Sequence, residues 1–271
     1  MTGFAETSCG RQLWGPHTRV PRHRHDHAYA ALLLSGSYEE CGSRGRFLVG
    51  AGVVLFHEAF DDHLDRILSS GAQILNLRFD RFSTGPDIFR VADADAIVRA
   101  AERDETEASA ELRAQLCPIE RVYHDWPDAL AEQLLIDPDC RLGQWARDNS
   151  LAPPSVSRGF RKVFGVTPAA FRCEARARRA LTMIRTSPES LAVIAAKVGF
   201  ADQAHMSRAV RALTGLPPGA WRGRIQAQAC LSSAGSSKCA ADSHSKTARR
   251  FQSSLARPLS LSPASVLTTK E

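Results

Sequence analysis

A chain of 271 residues, 44% of them apolar, can fold into two modest domains with packed cores; its seven cysteines, none at CxxC spacing, exclude a zinc knuckle and a disulfide framework. The net charge of +6 is uneven, with −9 over residues 1–140, +11 over 141–224 and +4 over 225–271, so the back half is the part suited to a polyanion such as nucleic acid. No signal-peptide pattern opens the chain and the longest apolar run, residues 28–34, is too short for a bilayer, so a cytoplasmic protein with no membrane partner is expected.

Residues 20–82 read as β. Short apolar segments at 30–34, 46–49, 53–56 and 74–79 are separated by turn clusters such as Ser35-Gly36-Ser37 and Gly50-Ala51-Gly52, the spacing of a small barrel or sandwich. Histidines concentrate here, with His23, His25 and His27 ahead of one strand and His57 and His63 after another. Side chains two apart on an extended chain share a face, so His23 and His25 can meet His63 across a barrel mouth. That is ligand-like spacing for a divalent metal or for gripping a small polar effector.

These residues also resemble the cupin sensor domain, in PRHRHDHAYAALLLSG, a Gly-rich turn, then GVVLFHEAFDDH. They depart from metal-binding cupins, because the first-motif carboxylate falls near Tyr29 and the Pro-x-Gly of the second motif is Gly50-Ala51-Gly52. The resemblance implies an effector pocket on His23, His25, Tyr29 and His63. Three readings stay open: a divalent metal cofactor on His23, His25 and His63, a metal-free small-molecule pocket, or histidines that cap strands and face solvent. Asp61 and Asp62 read as an exposed acidic turn, with a supporting role behind the histidines as the other reading.

Between residues 87 and 140 the pattern turns helical. Ile97, Val98, Ala101, Leu112 and Leu116 stand in a segment dense in Ala and Glu, with Asp93 or Asp95 as N-cap and Pro118 as terminator. A short helix over 127–135 puts Leu130, Leu134 and Leu135 on one face. The apolar stripes read either as packing onto the barrel or as a homodimer seam. Asp137-Pro138-Asp139 reads as a hinge.

The strongest signal is a repeat. Residues 157–172, SRGFRKVFGVTPAAFR, and 207–222, SRAVRALTGLPPGAWR, agree at a constant offset in Ser, Arg, Arg, Gly, Pro, Ala and Arg, with Phe171 matched by Trp221. Ahead of them, Leu142, Trp145, Ala146 and Leu151 mirror Leu191, Ile194, Ala195 and Phe200, the spacing of a short helix with one buried face. Ser150 and Gly199 fall in a turn, and a second helix follows each. Val156, Phe160 and Val163 form one inner face and Met206, Val210 and Leu213 the other, with Gly165 and Gly215 as terminators. Each unit is therefore a helix-turn-helix.

Once the inner faces are assigned, the outer ones follow. Pro153, Pro154, Ser157, Arg158 and Arg161 line the first, while Gln203, Ala204, Ser207, Arg208 and Arg211 line the second. Arg can bridge two acceptors on guanine and Gln can do so on adenine, which is what major-groove reading requires. A connecting helix over residues 169–184, ~24 Å long at 1.5 Å per residue, carries Arg172, Arg176, Arg178 and Arg179 as phosphate contacts. Phe171 and Trp221 read as core anchors.

The stretch 141–222 resembles the AraC/XylS family of transcription regulators, most specifically in LAVIAAKVGFADQAHMSRAVRALTGLPPGAWR. The resemblance implies an α+β chain, with a cupin-like β-barrel over 1–85, a helical linker or dimerisation segment over 86–139, a double helix-turn-helix over 140–224 and a disordered tail over 225–271. It implies a sequence-specific, non-enzymatic regulator of double-stranded DNA, an activator gated by a small-molecule effector and acting through RNA polymerase. Pro153 and Pro154 stand where many members carry base-reading side chains, so most discrimination is expected from Gln203 and Arg208. The alternative is a cupin-type metalloenzyme built on His23, His25 and His63. A DNA-alkylation-repair protein is disfavoured, because no cysteine has the Pro-Cys-His-Arg context that this chemistry uses.

Overall fold

The computed structural model describes residues 10–79, 87–120, 125–137 and 140–223, all within one compact unit spanning residues 1–226. Pro138 and Asp139 of the expected hinge, and the whole expected tail, lie outside the described residues. The chain is α+β, an antiparallel sheet domain followed by helices.

Among the described residues, eight strands build the sheet: β1 (Gly10–Trp14), β2 (Arg19–Arg24), β3 (Tyr29–Gly42), β4 (Gly45–Gly50), β5 (Val53–His57), β6 (Asp62–Arg78), β7 (Ile88–Arg90) and β8 (Cys117–Pro118). Their order is β1-β6-β3-β5-β7-β8, with β2 added on β6 and β4 on β3. The long strands β3 and β6 pair from Tyr29 opposite Arg78 to Gly42 opposite His63, with register shifts between Leu33 and Ser35 and between Gly36 and Tyr38. Gly36 and Gly71 meet at this bend with φ of 85° and 68°. A Cβ on Gly36 would fall 2.0 Å from the Gly71 carbonyl oxygen, so only glycine fits.

A bulge adds a residue to one strand and so exchanges its two faces. Tyr29, Ala31 and Leu33 pack in the inner cluster before the bend, and even-numbered Tyr38 joins them after it. The sequence expectation differs here in several places. His23 lies within β2, and β7 and β8 fall inside the 87–140 stretch expected to be helical, on either side of its Ala- and Glu-rich segment.

That segment holds two helices, α1 (Ala94–Ala101) and α2 (Glu105–Gln115). The Asp93 side chain caps the first and that of Asp104 starts the second by accepting from the Thr106 and Glu107 amides. Ile97, Ala108 and Leu112 are buried against Ala30, Leu32, Leu75 and Leu77 on the outer face of the sheet. The stripe that also suited a dimer seam is covered by the chain's own sheet.

Helix α3 (Trp126–Ile136) packs elsewhere, with Leu130, Ala131 and Leu134 among the core of the first helix-turn-helix module. Arg46 of β4 holds its start by pairing with Asp125 and Asp128, both at 2.6 Å. The modules are α4 (Leu142–Asp148) with α5 (Pro153–Phe164) and α7 (Leu191–Lys197) with α8 (Gln203–Thr214), joined by α6 (Pro168–Thr186). Gly165 and Gly215 end α5 and α8 in the left-handed conformation, at φ of 74° and 75°.

Phe160 is fully buried and packs on Phe164 and Phe171, with ring centroids 4.5 and 5.4 Å away. Phe160→Ala is expected to lower unfolding free energy by about 3–5 kcal/mol. Urea denaturation followed by circular dichroism measures the loss.

Candidate functional site

The two modules present their outer faces as the repeat predicts. Pro153, Pro154, Ser157, Arg158 and Arg161 on α5 are exposed, as are Gln203, Ala204, Arg208 and Arg211 on α8, and Ser207 is half-buried. Arg158, Arg161, Arg208 and Arg211 form no hydrogen bond or ion pair among the described residues, so four guanidinium groups stand free on α5 and α8.

The arginines of α6 divide differently from the expectation. Of the four named as phosphate contacts, only Arg179 is exposed. Arg172 Nη1 donates to the Cys140 carbonyl at 2.8 Å, just ahead of α4. Its repeat partner Arg222 donates to the Glu189 carbonyl, just ahead of α7. The last arginine of each copy therefore holds the module's first helix in place. Arg176 is half-buried, with its guanidinium against Gly199 in the turn of the second module. Arg178 leaves the DNA-facing set altogether, because it turns to the sheet, 3.3 Å from Asp62 and 3.9 Å from Asp61.

Of the expected core anchors, Phe171 is fully buried. Trp221 is half-buried. It donates from Nε1 to Thr214 Oγ1 at 2.9 Å and meets Phe60 of the sheet edge-on, with centroids 5.6 Å apart.

The second feature is a cavity of about 350 Å³ inside the sheet domain. His23 and His25 reach it from β2 and the loop after it, Tyr29 from β3, and His63 from β6. The expected rings come together, with centroids 4.2 Å apart for His23 and His63 and 5.4 Å for His25 and His63. His57 stacks on Tyr29 at 4.4 Å and lies 4.7 Å from His63. His57, outside the set expected from the sequence, lines the cavity, as do Glu40 and Asp65, which no sequence pattern marked. The bulges hid Glu40, since alternation counted from Tyr29 puts an even-numbered residue of β3 on the outside.

Burial sets the charge of the pocket. It pulls His57 down to about 3, helped by His25 and His23 and opposed by Asp61. It pulls His63 well below its ordinary value, with His57, His23 and His25 adding to the effect. It lowers His23 as well, against the Pro21 carbonyl. Burial also lifts Asp65 to about 7 and raises Glu40 well above the usual carboxylate range, reinforced by Asp65 and Asp61. Neutral imidazole, the form that ligates metals, is thereby favoured.

The two features share strand β2. His23 pairs with His63 across β2 and β6, and Arg24 pairs with Asp62. Since alternate residues face opposite sides, the histidines enter the cavity while Arg22, Arg24 and Asp62 meet the helices. Arg22 Nη1 donates to the Phe164 carbonyl at the end of α5, at 3.0 Å, and Nη2 to Glu174 at 2.7 Å. Arg24 Nη1 donates to the Ala212 and Leu213 carbonyls at the end of α8, at 3.1 and 2.9 Å. One strand thus holds the carbonyl end of both reading helices, where the helix dipole favours a cation.

Asp62, only 1% exposed, accepts from Arg24 at 2.8 Å and from Arg178. Asp61 accepts from Arg44 and Ser43, both at 3.0 Å. Burial alone would raise the Asp61 carboxyl, but Arg44, Arg178 and the Glu58 amide hold it below its ordinary value. Both residues were expected on an exposed turn; arginines converging from sheet and helices draw them inside.

Residues 145–224 match the family model described as a helix-turn-helix domain. No curated protein matches the chain in sequence. Among solved structures, a probable AraC family transcriptional regulator from Rhodopseudomonas palustris is similar at 18% identity and a TM-score of 0.34, covering 35% of this chain and 93% of its own. The C-terminal domain of AraT, a response regulator from Geobacillus stearothermophilus, is similar at 19% identity and a TM-score of 0.34, covering 36% and 84%. Unsaturated fatty acid bound ToxT from Vibrio cholerae is similar at 12% identity and a TM-score of 0.37, covering 81% and 97%. Scores of this size leave the helix-turn-helix match to stand by itself. Among the described residues, no helix is long and apolar enough to cross a membrane.

Asp62→Ala leaves the Arg24 and Arg178 guanidinium groups facing each other without their shared carboxylate. It is expected to destabilise the chain by about 3–5 kcal/mol. Asp26→Ala, on an exposed residue, should change stability by no more than about 0.5 kcal/mol. Parallel urea titrations compare the two.

Proposed function

We propose that this chain is a DNA-binding transcription regulator, on the helix-turn-helix match over residues 145–224, and that it reads a specific double-stranded site under the control of a small ligand held in the sheet-domain cavity. The observation that carries the gating half is β2, whose histidines line the cavity and whose arginines hold the ends of α5 and α8. A ligand that shifts His23 or His63 moves a strand on which both reading helices depend. Differential contact of this kind is what an allosteric ligand needs.

Base reading falls to Gln203 and Arg208 on α8 and to Ser157 and Arg158 on α5, flanked by Arg161, Ser207 and Arg211. Arg179 is the α6 residue suited to phosphate, and Arg176, turned toward Gly199, supports the second module from behind. Pro153 and Pro154 offer no side-chain donor, so the second module carries most of the discrimination. By resemblance to the AraC/XylS family, the output is activation through RNA polymerase.

The test is a binding titration on DNA from the region upstream of the chain's own gene. Arg208→Ala should weaken binding by about 1–3 kcal/mol, and Arg179→Ala should reduce the salt slope by about one. Gln203→Ala should relax specificity more than any change at Pro154. Salt-independent binding would remove the DNA reading. Gating has its own readout. Arg24→Met removes no DNA-facing side chain, yet should shift DNA affinity by about 5-fold or more. An unchanged affinity in that variant leaves DNA binding in place and sinks gating through β2.

A further inference from the structure

The charge inventory of the cavity points to the kind of ligand it holds. Four imidazoles and two carboxyls line it, and among the described residues no lysine or arginine does. Two buried carboxyls without a lining countercharge favour a cation. Glu40, His57 and His63 are each buried, and one donor atom from each lies within 4.8 Å of the others. His57 Nε2 stands 3.6 Å from Glu40 Oε2. Two donors that each sit about 2.0–2.2 Å from one tetrahedral ion have nearly that separation.

The donors come from β3, β5 and β6, and β3 lies between the other two and is hydrogen-bonded to both along the middle of the sheet. Tyr29 holds the His57 ring by stacking and places its hydroxyl 3.3 Å from His63 Nε2. Two polar atoms at the same place, His63 Nδ1 and Asp65 Oδ1, are buried without a hydrogen-bond partner. Native proteins rarely leave such atoms unmatched unless something else meets them.

We propose that the cavity binds a divalent transition-metal ion through Glu40, His57 and His63. A donor set of two imidazoles and one carboxylate suits borderline ions such as Zn2+ or Co2+ and not Ca2+ or Mg2+, which take oxygen. Three protein donors leave a coordination position facing the cavity, where water or a small anionic molecule can bind. The triad legible in the sequence, His23, His25 and His63, also comes within 4.8 Å. It contains no carboxylate, however, and His23 lies nearer the surface with Nδ1 2.9 Å from the Pro21 carbonyl. The proposal deepens the effector reading and rests on it for its regulatory meaning, but metal binding is measured apart from DNA binding.

The full chain, stripped with chelator and dialysed, is titrated with Zn2+ by calorimetry and with Co2+ by visible absorption. A single ion should bind per chain, with Co2+ bands of a low-coordinate site. Glu40→Gln, close in shape to the native residue, and His57→Ala should each weaken binding by more than about 100-fold, while His23→Ala keeps the ion. No saturable binding in the unmutated chain overturns the site. So does binding that survives both Glu40→Gln and His57→Ala, or that is lost only with His23→Ala. Metal binding that leaves DNA affinity unchanged upholds the site and removes the ion as the regulatory ligand. A chain that binds DNA but no metal overturns the site and leaves the DNA reading standing.

Discussion

Asp62 is the carboxylate on which the arrangement of sheet and helices depends. It is buried at the start of β6, and guanidinium groups reach it from β2 through Arg24 and from α6 through Arg178. Arg22 stands 3.9 Å away. Burying one carboxylate among several arginines is tolerable only if every partner has further acceptors. Arg22 and Arg24 also serve the carbonyl ends of α5 and α8, Arg22 also serves Glu174, and Arg178 has Asp61 3.9 Å away. Removing the carboxylate would leave cations desolvated at the place where both modules dock.

The same stretch of sheet meets the pocket on its other face. In extended backbone adjacent residues point oppositely, so His63 enters the cavity while Asp62 faces the helices, and His23 enters it from between Arg22 and Arg24. No chain of intermediate side chains separates the cavity from the helix ends, since the two are opposite faces of paired strands. The rest of the outer face is occupied by α1 and α2, which cover Leu32, Leu75 and Leu77. The sheet domain therefore has a cavity inside and an outside divided between its own helices and the helix-turn-helix modules.

The two helix-turn-helix copies show how one scaffold serves different ends. Gly165 and Gly215 adopt nearly the same left-handed conformation, and Arg172 and Arg222 make equivalent bonds to backbone ahead of α4 and α7. Their reading faces differ, with Pro153 and Pro154 on one and Gln203 and Ala204 on the other. Their attachment to the sheet differs as well. Leu64 and Cys41 join the core of the first module, whereas Phe60, held at φ 69°, joins that of the second.

The sequence alone determined the helical half of the molecule. Turn positions, left-handed glycines, buried stripes and exposed reading faces all follow from spacings of three or four residues, and local hydrogen bonding enforces them. It also placed His23, His25 and His63 together, because a two-residue period is equally local. Only the tertiary structure decided that Glu40 joins those histidines, since the bulges around Gly36 exchange the faces of β3. It alone decided that Arg178, Asp61 and Asp62 leave solvent. Their partners lie far away in sequence, as do those of Arg24, whose bond to Leu213 spans 189 residues, and no periodicity of a single element reports a contact that packing creates.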